Sequence, residues 1–151
     1  MSHKHHDTHK SLVIKYHGVE KAPVYHTGGA AGFDIAAARD IYVHPHKTVL
    51  VPTGLYLEIP QGYEVQIRPR SGFSIKKDLI IKNAPGTIDS DYRGEIKVIL
   101  YNLSRKKSVL IKKGERIAQG VVSKVEQAHF LYDGNHSTTE RDNKGFGSTG
   151  Q

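Results

Sequence analysis

Hydrophobic positions in this chain recur every second residue, in short runs. Tyr63, Val65 and Ile67 alternate with Glu64, Gln66 and Arg68, and Ile96, Val98 and Leu100 alternate with Lys97, Ile99 and Tyr101. A period of two sends alternate side chains to opposite faces of an extended backbone, which is the mark of a strand. Comparable runs follow one another from Leu12 onward: "LVIKY", "IYVHP", "TVLVP", "GLYLEIP", "LIIKN" and "SVLIKKGERIAQGVV". Turn-forming stretches such as "PHK", "PQG", "SGF", "KKG" and "DGN" separate them. Only "SGFSIKKDL" has room for a turn or two of helix, because no segment holds a 3.6-residue period for the roughly twelve residues a self-standing helix needs. The pattern predicts an all-β sandwich or barrel.

The two ends depart from this pattern. Residues 1–10, "MSHKHHDTHK", carry four histidines and almost nothing apolar, and read as a disordered tail. Adventitious metal binding by His3, His5, His6 and His9 is one reading of it; a solubilising or cloning remnant is the plainer one. The last eight residues, "KGFGSTGQ", combine three glycines with one aromatic ring, Phe146, so they cannot order alone.

Composition narrows the class. With 151 residues, 37% hydrophobic and 25% charged, the chain can build one domain with a real core. It has no cysteine, which excludes disulfides, thiol nucleophiles and cysteine zinc sites and fits an intracellular protein. Apolar runs stop at four residues, and no hydrophobic leader opens the chain, so neither a membrane span nor a signal peptide is expected. The expected location is the cytoplasm, or also the nucleus were the source eukaryotic or viral. A formal charge of +7 suits a polyanionic partner, either nucleic acid or a charged small molecule such as a nucleotide. Because Lys76, Lys77, Lys82, Arg105, Lys106, Lys107, Lys112 and Lys113 scatter through turn-like stretches without aromatic interleaving, solvated loop charge is the commoner reading and nucleic acid is not expected.

Three stretches carry candidate chemistry. In "NAPGTIDSDYRGE", Asp89 and Asp91 would point the same way from an extended chain, and a carboxylate before the strand that starts at Glu95 can serve as a general base. Asp in a glycine-rich turn is, taken alone, more often a turn former. In "IRPRSGFSIK", Arg68, Arg70, Ser71 and Gly72 precede the possible helix and suit phosphate oxygens; the alternative is a short helix capped by Ser71 or Ser74. In "AAGFDIAAARD", Asp34 and Asp40 stand among small residues, and Asp34 can hold a hydrated divalent metal. The histidines show no metal or triad spacing.

Taken in order, "AGFDIAAARD", "RPRSGFSIK", "NAPGTIDSDYRGEIKVIL", "KGERIAQGVV" and "RDNKGFGSTG" resemble the five motifs of the trimeric dUTP diphosphatases, or dUTPases, over Ala31 to Gly150. The resemblance implies a jelly-roll-like β-barrel with one short helix, assembled as a homotrimer. It implies hydrolysis of dUTP to dUMP and pyrophosphate with Mg²⁺, which keeps uracil out of DNA and supplies dUMP for thymidylate synthesis. It implies a barrel over residues 11–140 and a flexible C-terminal arm, residues 141–151, closing over a neighbouring subunit's site. Residue by residue, Asp89 would orient and deprotonate the attacking water. Tyr92 would pack against deoxyribose and exclude a 2′-hydroxyl. Asn83 with the backbone of Gly86, Thr87 and Ile88 would read uracil. Arg70, Ser71, Gly72 and Gln119 would bind phosphates, and Asp34 would hold Mg²⁺ through water. From the arm, Phe146 would stack on uracil while Arg141, Gly147, Ser148 and Thr149 grip the γ-phosphate.

There are departures from the family pattern. Asp142 follows Arg141 and Lys144 precedes Gly145, so Asp142 is expected either to repel the γ-phosphate or to pair with Lys144. Gly120 stands where a large aliphatic is common and is expected to loosen the local core. Two rival functions remain open on sequence: a dCTP deaminase of the same fold, against which "DSDYRGE" carries the dUTPase-like tyrosine and "ILYN" lacks a deaminase glutamate, and a dUTPase-fold protein that binds a regulatory partner.

Overall fold

The structure, a computed structural model, describes residues 12–135 and 137–147. The His-rich tail, with His3, His5, His6 and His9, lies outside the described residues. In chain order the strands are β1 (Lys15–His17), β2 (Gly32–Ala36), β3 (Ile41–Val43), β4 (Thr48–Pro52), β5 (Tyr56–Glu58) and β6 (Tyr63–Arg68). After the short helix α1 (Ser71–Lys76) come β7 (Leu79–Ile81), β8 (Gly86–Ile88), β9 (Lys97–Asn102), β10 (Val109–Ile111) and β11 (Arg116–Lys124). All pairings are antiparallel, in the orders β2-β11-β6-β8, β4-β9-β7, β10-β3 and β1-β5. Neighbours in the sheets are mostly distant in sequence, so connections pass between layers in the jelly-roll manner.

The alternation becomes burial. Val65 and Ile67 of β6, and Val98 and Leu100 of β9, point into one core shared with Ile35, Ile111 and Ile117. Asn102 continues the buried row of β9 and is the polar exception. Its Nδ2 donates to the carbonyls of Val43 and Lys107 at 2.9 and 2.8 Å, and its Oδ1 accepts from the Ser104 N–H at 2.9 Å, so nothing is left unpaired.

Local differences from the sequence pattern have local causes. Of "LVIKY" only Lys15 onward is strand. The run "SVLIKKGERIAQGVV" breaks at Gly114, which holds a φ of +85° in a turn where the Glu115 N–H donates to the Lys112 carbonyl at 2.9 Å. Strand β8 is too short to show any alternation and is defined by its partner, with Gly86 opposite Ile67 and Ile88 opposite Val65.

Gly120 does not loosen the core. A β-carbon there would run into the ring of Phe33, coming within 2.8 Å of both Cε atoms, and Phe33 lies opposite Gly120 on β2 and is buried. The ring occupies the space an aliphatic side chain would take. We therefore expect Gly120→Val to lose about 1–3 kcal/mol through overpacking, and Phe33→Leu in the same chain to recover part of it. Urea unfolding at one fixed chain concentration reads both; an unchanged midpoint for Gly120→Val would mean the ring has slack around it.

Candidate active site

Strands β2, β11 and β6 set three polar side chains in one register row, with Asp34 opposite Gln119 and Gln119 opposite Arg68. A bulge makes this row possible. The register shifts between Arg116 and Ala118, and the consecutive residues Ile117 and Ala118 are both buried. The extra residue puts Arg116 and Gln119 both on the outer side, three positions apart. Arg116 Nη1 then meets Asp34 Oδ2 at 3.5 Å, while Arg70 Nε meets Asp34 Oδ1 at 3.3 Å. Gln119 Nε2 donates to the Pro69 carbonyl at 2.9 Å and so ties the segment before Arg70 to β11. Gly32 is what lets it lie there: a β-carbon at Gly32 would collide with the Gln119 amide oxygen and sit 3.0 Å from its Cδ.

Arg70 itself is the N-cap of α1, in extended backbone, with no side-chain capping bond. Ser71 and Gly72 are the first helical residues, so neither Ser71 nor Ser74 caps the helix as the alternative reading required. A cleft of about 470 Å³ opens beside them, lined by Arg70, Gly72, Phe73, Lys76, Lys77, Gly114, Glu115 and Arg116. Lys77 is paired to Glu115 at 3.1 Å. Arg116 was not singled out in the sequence, although "KGERIAQ" contains it, because only the bulge aims it at Asp34.

A second constellation gathers around β8. The chain turns at once after Ile88: the Tyr92 N–H donates to the Asp89 carbonyl at 3.1 Å, so residues 89–92 form a turn and Asp89 and Asp91 are not side by side on an extended chain. Asp89 stands, exposed, at the exit of β8, and the next strand begins at Lys97 rather than Glu95. Arg93 Nη1 holds the turn by donating to the Ser90 carbonyl at 2.6 Å. Asp89 and Tyr92 line a cleft of about 340 Å³ with Leu50, Thr87, Ile88, Glu95, Lys97 and Ile99. Tyr92 Oη donates to the Glu95 carbonyl at 2.8 Å, and Glu95 Oε2 accepts from the Gly54 N–H at 2.9 Å. At the other end of β8, Gly86 is buried, and a β-carbon there would come within 3.2 Å of Asn83 Nδ2. Thr87, Ile88, Asp89 and Tyr92 thus line one cleft, while Asn83 and Gly86 meet at the other end of β8.

The two constellations stand apart. Ile88 faces Val65, so Asp89 falls near the level of Glu64, four residues along β6 from the Arg68 row, or about 13 Å. Asp34 lies three strand spacings across the sheet, about 14 Å. Together these separate the two carboxylates by on the order of 20 Å within one chain.

Beyond β11 the chain leaves the sheets. Phe130, Leu131 and Tyr132 are 92%, 82% and 93% exposed, three large apolar side chains in succession. Arg141 Nε donates to the Lys144 carbonyl at 2.7 Å and the Lys144 N–H donates to the Arg141 carbonyl at 3.1 Å, closing a turn in which Asp142 has a φ of +51°. Among the described residues the ion pairs do not include one between Asp142 and Lys144. Phe146 is fully exposed; Ser148 and Thr149 lie outside the described residues. Also among the described residues, no three His, Asp or Glu side chains converge to cage a metal, and no helix is long and apolar enough to cross a membrane.

Fold and site together define an all-β protein with a largely cationic cleft and, separately, a carboxylate and tyrosine beside a short, glycine-led strand. The family model described as dUTPase matches residues 20–150. Deoxyuridine 5'-triphosphate nucleotidohydrolase of Hydrogenobaculum sp. is 51% identical, covering 93% of this chain and 98% of its own, and that of Fusobacterium nucleatum is 48% identical over 92% and 95%. A solved mutant dUTPase of Staphylococcus bacteriophage 80alpha, with dUpNHpp, superposes with a TM-score of 0.83 at 26% identity, covering 91% of this chain and 98% of that one. The chain belongs to the dUTPase family.

Proposed function

We propose that this protein hydrolyses dUTP to dUMP and pyrophosphate at sites built between subunits of a homotrimer. The observation that carries the proposal is the separation of the two constellations on one chain. Asp89 and the Arg70–Asp34–Gln119 group are too far apart to serve one triphosphate, whose α and γ phosphates are separated by the β-phosphate alone. A neighbouring copy can bring its cationic cleft to the Asp89 rim, and the exposed run from Phe130 to Tyr132 suits the passage of the arm to a further copy.

In that site Asp89, exposed at the end of β8, accepts a proton from water as the oxygen attacks the α-phosphorus; the bond to the oxygen bridging to the β-phosphorus breaks and pyrophosphate leaves. Tyr92, tied to the Glu95 carbonyl, closes the sugar pocket against a 2′-hydroxyl. Asn83 and the backbone of Gly86, Thr87 and Ile88 pair with the uracil edge, a kind of recognition that rejects cytosine because its donors and acceptors are reversed. Arg70, Ser71, Gly72 and Gln119 bind phosphate oxygens, joined from the arm by Arg141, Gly147, Ser148 and Thr149, with Phe146 over the base.

Asp34 fits a role toward Mg²⁺ only through water. It is a single carboxylate, and both its oxygens already face guanidinium groups at 3.3 and 3.5 Å, which suits an ion ligated chiefly by the phosphates. Bound there, Mg²⁺ supplies charge neutralisation on the phosphates.

The deciding assay is pyrophosphate release from dUTP beside dCTP, dTTP and UTP, with and without Mg²⁺. Release from dUTP that falls on chelation is expected. Ammonia from dCTP in place of pyrophosphate from dUTP would overturn the reading in favour of a deaminase.

A further inference from the structure

Tyr92 is held in place by an absence. Its side chain folds back over the turn that follows it, so that the hydroxyl reaches the carbonyl of Glu95 three residues on at 2.8 Å. This path crosses Gly94. A β-carbon at Gly94 would run into the Tyr92 hydroxyl and would come within 2.6 Å of Cζ, closer than real β-carbons come, and 3.0 Å from Cε1, tighter than most keep. Gly94 is not among the glycines with positive φ, so its backbone makes no demand for glycine. What requires glycine here is the tyrosine ring lying on it.

We propose that Gly94 is a specificity-determining position that acts through Tyr92: by lacking a side chain, it lets the hydroxyl end of the ring rest against the turn, so that the ring presents a fixed wall to the sugar. The inference rests on the reading of Tyr92 as the barrier to a 2′-hydroxyl. Tyr92 is 44% exposed, so packing from other elements covers only part of it. Two local restraints remain to set its position: the floor at residue 94 and the bond to the Glu95 carbonyl, whose own residue is anchored by the Gly54 N–H at 2.9 Å. A methyl group at 94 removes both, since lifting the ring also draws the hydroxyl off its acceptor. Displacement of about 1 Å at a positioning wall is enough to change reactivity severalfold or more.

The test compares kcat/KM for UTP with that for dUTP in four chains: the parent, Gly94→Ala, Tyr92→Phe and Tyr92→Ala. Gly94→Ala is expected to raise the UTP to dUTP ratio by about tenfold, and Tyr92→Phe, which loses the anchoring bond but keeps the floor, to raise it by less. Tyr92→Ala is expected to raise it most. A merely structural glycine would lower activity on both nucleotides together and leave the ratio alone. A parental ratio in Gly94→Ala beside a raised one in Tyr92→Ala would overturn the role of Gly94 while leaving the tyrosine barrier standing; a parental ratio in Tyr92→Ala would remove the barrier and this inference with it. Should Gly94→Ala fail to assemble, Tyr92→Phe decides: a parental ratio there, with Tyr92→Ala raised, overturns the claim that local restraint of the ring sets specificity.

Discussion

Asp89→Asn is expected to fold, assemble and bind dUTP as the parent does, yet to lose about 10²- to 10⁴-fold in kcat. The amide is nearly the size of the carboxylate, and Asp89 contributes its carbonyl, not its side chain, to the hydrogen bond that closes the turn with the Tyr92 N–H. The turn should therefore survive. What is lost is the capacity to take the water's proton as the α-phosphorus is attacked. Single-turnover kinetics together with equilibrium binding of dUTP check the two halves separately. More than half the parental kcat would remove Asp89 from the role of base, and a collapse of binding alone would recast it as a sugar contact.

The second large effect is expected from mixing two dead proteins. Deletion of residues 141–151 removes the arm but, among the described residues, no strand, since β11 ends at Lys124, and should leave an assembled, nearly inactive trimer. Unfolded and refolded together with an equal amount of full-length Asp89→Asn, it should form hybrids. A shared site works when the chain donating Asp89 is the truncated one and the chain donating the arm is the substituted one. Each condition holds half the time, so about a quarter of parental sites should return in a closed three-fold ring. Hybrids verified by mass that stay inactive would show that the arm and Asp89 come from one chain, and the intersubunit site would fall. The exposed Phe130, Leu131 and Tyr132 make the crossing physically reasonable, because a partner surface is what would bury them.

How much of this was legible beforehand differs by element. Alternation in "YEVQIR" and "EIKVIL" was sufficient for β6 and β9, since burial of one face is itself what a period of two encodes. The five motifs in order were sufficient for the family, because each names residue types whose spacing is local. Strand β8 was not legible: three residues cannot show a period, and Gly86 to Ile88 becomes a strand only when β6 lies beside it. The extended arrangement imagined for Asp89 and Asp91 likewise gave way to a turn, and the loosened core at Gly120 gave way to the ring of Phe33.

By itself, then, the sequence determined the all-β class, the core faces of the long strands, the short helix and the identity of the candidate groups, all of which depend on residues within a few positions of one another. Tertiary structure alone decided which groups meet. Arg116 reaches Asp34 through a bulge in one strand and the register of another, eighty-two positions apart in sequence, and Gly120 matters only because Phe33 was laid across it. Most of all, it decided that Asp89 and Asp34 stand on opposite parts of one sheet. Adjacency across a sheet is set by pairing partners and register, quantities that no local pattern contains, and here they keep two groups of motif residues apart on one chain.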